Sequence, residues 1–406
     1  MRVLVVNAGS SSLKLALLGA DDELLAEEHL VRDDTLDVGD AVERFLEGSP
    51  PADAVGHRVV HGGAEFVEPL VVDANSDHEL TRLADLAPLH NPPALAALHE
   101  LRRRRPDLVQ VACFDTSFHS TIPAKAATYA LPVHWRRDLG IRRFGFHGFS
   151  HQWASMRAAE LLHRPLSSTC LVTAHIGAGA SLAAVAGGRS VDTTMGFTPV
   201  AGLVMATRPG DVDPGAVLWA MRHGVGIGEA EEDLERRSGL LGLSGRSGDL
   251  REVIEGADSG DEACAAAYEA YVYRLQREIG SMVVALGGLD ALVFTGGAGE
   301  GSARLRADVC AGLGVLGVPA PDPGGAPRPG GPTAPDRVEP GDRMVSPSAP
   351  ADPPATPSAP SDRVVSPAGA SPAVVVVKAR EDVVIARAVR RVLASGRGPA
   401  PSLGPA

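Results

Sequence analysis

Lysine is nearly missing from this chain of 406 residues: of its 38 basic residues, only Lys14, Lys125 and Lys378 are lysines. Almost every cationic contact available is therefore a guanidinium, whose planar fork suits carboxylate and phosphate. An excess of positive charge is also missing. The net charge of −12 argues against a general nucleic-acid or acidic-membrane surface, so an anionic substrate needs a local basic pocket. Only four cysteines occur, Cys113, Cys170, Cys264 and Cys310, far apart and without a C-x-x-C. That pattern fits a reducing compartment, argues against structural zinc and leaves them as small core residues. No apolar run is long enough to span a bilayer. Residues 1–20 begin like a secretory signal, but the polar run Asn7 to Ser12 interrupts them, so a cytoplasmic strand pair is expected. Neither a Walker A sequence nor a G-x-G-x-x-G fingerprint is present, which weakens P-loop, Rossmann and protein-kinase readings.

What is present is a pair of similar turns. Val3-Leu-Val-Val runs into Asn7-Ala-Gly-Ser-Ser-Ser-Leu-Lys14, and Leu171-Val-Thr-Ala runs into His175-Ile-Gly-Ala-Gly-Ala-Ser181. Glycine and serine at a tight turn between strands aim backbone N–H groups and hydroxyls into one concavity, which can hold phosphate oxygens. Two such turns suggest two halves clasping one polyphosphate.

The surrounding pattern repeats as well. Strand-like runs at 2–8, 12–19 and 23–30 precede a helix near 40–47 and a strand at 54–61; a helix at 93–105 then leads into a strand at 108–114. The order begins again after residue 168, with strands at 169–176, 181–186 and 189–194, a long helix at 261–286, a strand at 291–295 and a helix at 302–313. One α/β unit used twice is the expectation, and 406 residues suit two domains. Residues 319–372 differ sharply, holding sixteen of the 32 prolines and neither leucine nor an aromatic residue. Such a segment buries too little apolar surface to offset its ordering entropy, so most of it is expected to be disordered. It contains the near-duplicates Asp342-Arg-Met-Val-Ser-Pro347 and Asp362-Arg-Val-Val-Ser-Pro367. Order is expected to return with the strand Ala373 to Lys378 and a helix from Glu381 to Ala394 that packs back on the first half.

Further motifs are Gly56-His-Arg-Val-Val-His-Gly-Gly63, Leu86-Ala-Pro-Leu-His-Asn-Pro-Pro93, Phe114-Asp-Thr-Ser-Phe-His119, Phe144-Gly-Phe-His-Gly148, Asp192-Thr-Thr-Met-Gly-Phe-Thr-Pro199 and Thr207-Arg-Pro-Gly-Asp211. In this order, over residues 1–318 and 361–394, they resemble the acetate kinase family of the sugar-kinase, heat-shock and actin-like superfamily. The resemblance implies an α/β fold of two ribonuclease-H-like domains with a cleft between them. It implies reversible, direct transfer of the ATP γ-phosphoryl group to acetate, with magnesium (or manganese) as cofactor, in a cytoplasmic homodimer. In its pattern Arg58 and Arg208 face the carboxylate and the transferring phosphoryl, His147 donates to the phosphoryl oxygen, and Asp115 orients the catalytic arginine and the metal shell. Asn7 and Glu381 match the metal positions. The nucleotide falls to Ser10, Ser12 and Lys14, to His175, Ile176, Gly177, Ala178 and Gly179, to Asp249, Leu250 and Arg251, and to Gly297, Ala298, Gly299, Glu300 and Gly301. Val60, Leu89, Phe146 and Pro199, with Arg58, match the acyl pocket.

Departures from the family pattern cluster at the nucleotide end: Ala178 and Gly301 stand where asparagine is common and Ala298 where isoleucine is, and Lys378-Ala-Arg-Glu-Asp-Val replaces the usual run around Glu381. The expected domains are 1–119 with 381–397, and 120–380 carrying the nucleotide, with 319–360 as an insertion in the second. The partners expected are acetate and ATP, with no nucleic acid and no membrane. Alternatives are a short-chain acyl kinase preferring propionate or butyrate, or pyrophosphate as donor; a non-catalytic nucleotide-binding homologue; and an interaction scaffold built on the proline-rich segment.

Overall fold

The structure is a computed structural model that describes residues 1–9, 12–31, 36–87, 91–321 and 362–395. Twelve strands form two six-stranded sheets. The first contains β1 (Val3–Ala8), β2 (Ser12–Leu18), β3 (Leu24–Val31), β4 (Ala54–Val59), β5 (Leu70–Val71) and β6 (Val109–Phe114), in the order β3-β2-β1-β4-β6-β5. The second contains β7 (Cys170–Ile176), β8 (Ala180–Ala186), β9 (Arg189–Thr193), β10 (Ala291–Thr295), β11 (Arg363–Val364) and β12 (Ala373–Val376), in the order β11-β12-β10-β7-β8-β9.

Read from the opposite edge, the second order repeats the first strand for strand. Each sheet has an antiparallel meander of three strands, two further strands parallel to the first, and a two-residue antiparallel strand on the outer edge. The inner strands β10 and β12 are almost wholly apolar because helices cover both faces, as parallel strands require. Val293, Val375 and Leu171 are fully buried in the second sheet, as are Val3, Leu4 and Val55 in the first.

The Val38–Glu47 and Asn91–Arg104 helices cover one face of the first sheet, where Leu101 and Val42 meet Leu4, Val6 and Val55. The Glu381–Ala394 helix covers the other, packing Val383, Ile385 and Val389 on Val3, Val5 and Cys113. Gly56 permits that approach: a Cβ there would lie 2.8 Å from both Ile385 Cγ2 and Val389 Cγ2. The chain's end is thereby pinned to its beginning, which places Glu381 beside β1 and β4. Between the sheets runs the Gly148–Leu161 helix, with Phe149 and Trp153 against the first and Ala154 and Ala158 against the second. The Glu262–Leu286 helix covers the outer face of the second sheet through Tyr271, Leu275 and Ile279.

Most expected elements lie within two residues of where the sequence placed them. The two-residue strands β5 and β11 were not expected, because so short a strand carries no alternation to read. β11 also corrects the reading of residues 319–372. Its C-terminal part is ordered into the sheet: Val365 is buried, and Ser366 Oγ accepts the Val374 N–H at 3.0 Å. The second copy of the duplicated hexapeptide is therefore a structural edge. The first copy, Asp342–Pro347, and the expected disorder over 322–361 lie outside the described residues. All four cysteines are free, with Cys113, Cys264 and Cys310 buried and Cys170 partly so.

Candidate active site

Parallel strands bring their carboxyl ends to one edge, the position where α/β folds collect functional groups. In the first sheet that edge carries Asn7 on β1, Arg58 on β4 and Asp115 just past β6. Arg58 Nη2 donates to Asp115 Oδ2 at 2.7 Å and Nη1 approaches Asn7 Oδ1 at 3.4 Å. Its Nε lies 3.7 Å from Glu381 Oε2, too far for a hydrogen bond, and has no other partner. Asp115 is fully buried and accepts from more than one element: Oδ2 also accepts the His147 N–H at 2.9 Å, and Oδ1 the Phe149 N–H at 3.4 Å. One carboxylate thus locks a guanidinium and the start of the Gly148–Leu161 helix together. Burial works against the Arg58 charge, but Asp115 and Glu381 outweigh it and hold its pKa above the ordinary arginine value. Burial pushes the Glu381 carboxyl up, with Asp115 adding to the rise and Arg58 opposing it.

The second wall comes from the second sheet. His147 caps the Gly148–Leu161 helix in the left-handed region at φ +55°, a conformation a non-glycine residue holds at a cost of about 1 to 2 kcal/mol. Its ring stacks on that of His175 at 4.2 Å. Arg208 reaches the same place and donates through Nη1 to the Pro199 carbonyl at 2.8 Å. Gly179 lies between them. A Cβ there would be 2.7 Å from Arg208 Nη2 and 3.2 Å from His147 Nε2, so only glycine leaves both groups where they are. Burial lowers the Arg208 pKa, partly offset by Glu235, and among the described residues no carboxylate is within salt-bridge distance of it. Burial also pushes His175 down to about 4 and His147 well below the usual histidine value, so both rings are neutral at pH 7.

The remaining expected residues are distributed as follows. Lys14 faces Asn7 across the β1–β2 hairpin and is exposed; the turn is closed by the Gly9 N–H on the Ser12 carbonyl at 2.8 Å. Ser10 and Leu89 lie outside the described residues. Val60 packs against the cluster that holds Phe146. The 175–179 turn is closed by the Gly177 N–H on the Gly179 carbonyl and tied to its neighbour by the Ala206 N–H on the Ala178 carbonyl. Asp249 caps the Leu250–Asp258 helix and pairs with the exposed Arg251 at 2.6 Å. Gly297, Ala298, Gly299, Glu300 and Gly301 form a short helix after β10, at the same sheet edge as His175. A Cβ at Gly297 or Gly301 would meet nothing, whereas Glu300 Oε1 accepts the Ala379 N–H at 2.9 Å and so steadies the approach to Glu381.

Sequence reasoning missed several groups. Buried Arg306 donates at 2.8 Å to the Gly299 and Glu300 carbonyls, pinning the glycine-rich turn. Ser181, Thr173 and His151 form a buried chain that ends on His147. The available signal was the hairpin register, which sets Ser181 opposite His175.

For a divalent cation, the donors near Arg58 are hard oxygens: the Glu381 and Asp115 carboxylates and the Asn7 amide oxygen. No preformed cage of three or more histidine, cysteine or acidic side chains occurs among the described residues. That combination fits magnesium, which keeps waters and substrate oxygens in its shell. The raised Glu381 pKa marks a carboxylate that a cation would stabilise in its charged form.

A model of the acetokinase family matches residues 43–324. The acetate kinase of Synechococcus sp. is 43% identical over 357 residues, covering 78% of this chain and 88% of its own length. The acetate kinase of Thermosynechococcus vestitus is 48% identical over 285 residues, 70% of this chain and 68% of its own. Among solved structures, Porphyromonas gingivalis acetate kinase superposes with a TM-score of 0.80 at 33% identity, covering 97% of this chain and 99% of that one. A propionate kinase from Francisella tularensis superposes at 0.77 and 30% identity, with coverages of 95% and 98%. With the repeated sheets and the motif order already described, these likenesses establish that the chain belongs to the acetokinase family, kinases that phosphorylate a carboxyl group.

Proposed function

We propose that this protein is an acetate kinase that moves the γ-phosphoryl group of ATP to a carboxylate oxygen of acetate, giving acetyl phosphate and ADP reversibly. The new P–O bond forms as the bond to the β,γ-bridging oxygen breaks, in one in-line step without a phosphorylated enzyme. The observation that carries this reading is the convergence of Arg208 Nη2 and His147 Nε2 on Gly179, next to a guanidinium that Asp115 has locked. Such a transfer needs little covalent help from the protein; it needs two anions aligned and the charge on the equatorial oxygens neutralised.

In this mechanism Arg58 holds the acetate carboxylate against the phosphoryl group. Asp115 orients Arg58 and, through the His147 N–H, the histidine as well. Arg208 and His147 Nε2–H donate to the phosphoryl oxygens as charge spreads over them. The acetyl methyl lies among Val60, Leu89, Phe146 and Pro199. The nucleotide runs from Lys14, Ser10 and Ser12 through residues 175–179 to Asp249, Leu250 and Arg251 and the turn 297–301. Glu381 and Asn7 would hold magnesium (or manganese), which would supply positive charge to the nucleotide phosphates. Residues 1–119 with 381–397 form the acyl-side domain and 120–380 the nucleotide domain, with 319–360 inserted in it. We assign the enzyme to the cytoplasm as a homodimer; the exposed Leu218, Trp219 and Ile227 on neighbouring short helices supply apolar surface suited to a second copy.

The test is an assay of the purified full chain with acetate, ATP and magnesium, trapping acetyl phosphate as the hydroxamate. Calorimetric ATP binding without any trapped product would overturn the reading in favour of a non-catalytic homologue. A preference for propionate is the second reading, favoured by the likeness to the Francisella protein of that name. Since one methylene is worth about 1 to 3 kcal/mol in an apolar pocket, kcat/KM across acetate, propionate and butyrate separates the two.

A further inference from the structure

We infer that Ser181 is a positioning residue that fixes the tautomer of His147, so that the proton on His147 sits at Nε2 and faces the transferring phosphoryl group. The inference rests on the proposed role of His147 and goes one link behind it. Ser181 lies on β8, fully buried, with its hydroxyl between two imidazoles: 2.9 Å from His147 Nδ1 and 2.8 Å from His151 Nε2. His151, also fully buried, continues the chain through Nδ1 to Thr173 Oγ1 at 2.7 Å. Beyond Thr173, among the described residues, its hydroxyl has only the Ala183 carbonyl, at 3.4 Å.

Counting protons decides the direction. The ring nitrogens of this chain meet hydroxyls, and among the described residues no carboxylate lies within salt-bridge distance of either imidazole, so each imidazole is neutral and carries one N–H and each hydroxyl one O–H. Four protons therefore serve three links, and one proton is left over at one end of the chain. At the Thr173 end its acceptor would be the Ala183 carbonyl, across a distance at which a hydrogen bond is weak. At the other end is His147 Nε2, which faces Gly179 and Arg208, where an anionic phosphoryl oxygen is the acceptor. Either polarity fills the three short links, and the one that spends no proton on the long Ala183 contact runs from Thr173 O–H to His151 Nδ1, from His151 Nε2–H to Ser181 Oγ, and from Ser181 O–H to His147 Nδ1. His147 is then left with its proton at Nε2.

The second imidazole of the stacked pair is held separately. His175 Nδ1 meets Ser150 Oγ at 2.7 Å, so it does not compete for Ser181. Ser181 touches no part of the reacting groups, and its effect passes entirely through the ring it holds.

The experiment is 15N NMR of the histidine side chains in the full protein bound to magnesium and the β,γ-imido analogue of ATP, with kinetics on the same samples. The wild-type protein is expected to show His147 with a protonated Nε2 and an acceptor Nδ1. Ser181→Ala is expected to give a mixed tautomer and to lower kcat about tenfold, the scale of one buried hydrogen bond, with KM for acetate and for ATP within about twofold. Thr173→Val, nearly isosteric and two links away, moves the same signal in the same direction and lowers kcat by less. A wild-type His147 protonated at Nδ1, or a tautomer unchanged in both variants, overturns the inference. Full kcat in His147→Ala would instead remove the catalytic reading of His147, and with it the role assigned here to Ser181. That outcome is distinguishable because the tautomer is read without turnover.

Discussion

The two glycine-serine turns occupy equivalent places in two sheets of the same topology, yet the walls beside them are opposite in charge. Beside the first, one guanidinium is shared by two carboxylates: Arg58 bonds Asp115 and lies near Glu381, within reach of Asn7. Beside the second, among the described residues, the Arg208 guanidinium has only the Pro199 carbonyl as hydrogen-bond partner, and the imidazoles of His147 and His175 are neutral. A wall with carboxylates to spare is suited to a cation, whereas an uncompensated guanidinium with neutral donors is suited to an anion. One duplicated backbone has thus been given two electrostatic tasks by side chains alone.

The largest test of that contrast removes the two arginines in turn. Arg208→Ala is expected to lower kcat at least 100-fold, as loss of one transition-state donor does, while leaving unfolding free energy unchanged or slightly higher. Arg58→Ala is expected to lose comparable activity and in addition about 3 to 5 kcal/mol of stability, because the fully buried Asp115 carboxylate is left without its guanidinium partner. Kinetics with urea unfolding of both variants checks this. Equal stability losses would break the comparison.

A smaller effect is expected from Gly179→Ala, which displaces both Arg208 and His147 without touching the first wall. A displacement near 1 Å at a reacting group can cost about 100-fold in rate, so kcat should fall by up to that factor with the urea midpoint nearly unchanged. Survival of full activity would mean that the two groups do not work at their present positions.

Acidification probes the neutral histidines. Burial holds His57, His61, His119 and His175 at about 4, below the ordinary histidine value, so the unfolded chain takes up their protons first. Their contribution is complete above about pH 6.5 and is lost as pH falls toward 4, at up to about 1.4 kcal/mol per pH unit for each. Urea midpoints measured from pH 8 to pH 5 should therefore fall on the acid side; a flat profile would show these rings to be charged or solvated.

The smallest effect belongs to Ala178→Asn. Ala178 is exposed and its carbonyl already holds Ala206, so asparagine fits without displacement and adds one side-chain donor to the phosphate turn. KM for ATP should drop several-fold, the value of one hydrogen bond of about 1 kcal/mol, with kcat unchanged. No change would show that backbone amides already suffice.

Much of this arrangement was legible beforehand. Apolar runs such as Val3–Val6 and Ala291–Phe294 announced strands buried on both faces, and the repeated strand-turn-strand order announced a duplicated unit. β5 and β11 were illegible because two residues hold no period. The ordering of Asp362–Pro367 was hidden by its proline-rich neighbours, although Val365 and Ser366 dock on β12 through one buried side chain and one hydrogen bond. Arg306 carried no local sign that it would pin the 299–300 carbonyls.

By itself the sequence determined which chemical groups the site can draw on: an amide at Asn7, guanidiniums at Arg58 and Arg208, a carboxylate at Asp115, an imidazole at His147. Those follow from local alternation and from motifs a few residues long. Only the tertiary structure decided their pairing. Arg58 meets Glu381 because Gly56 lets the C-terminal helix lie against β4, and Ser181 meets His147 and His151 because the Gly148–Leu161 helix packs on β7, the strand that β8 pairs with. Contacts between groups so far apart along the chain are set by sheet register and helix packing, which depend on the whole core and not on any local run of residues.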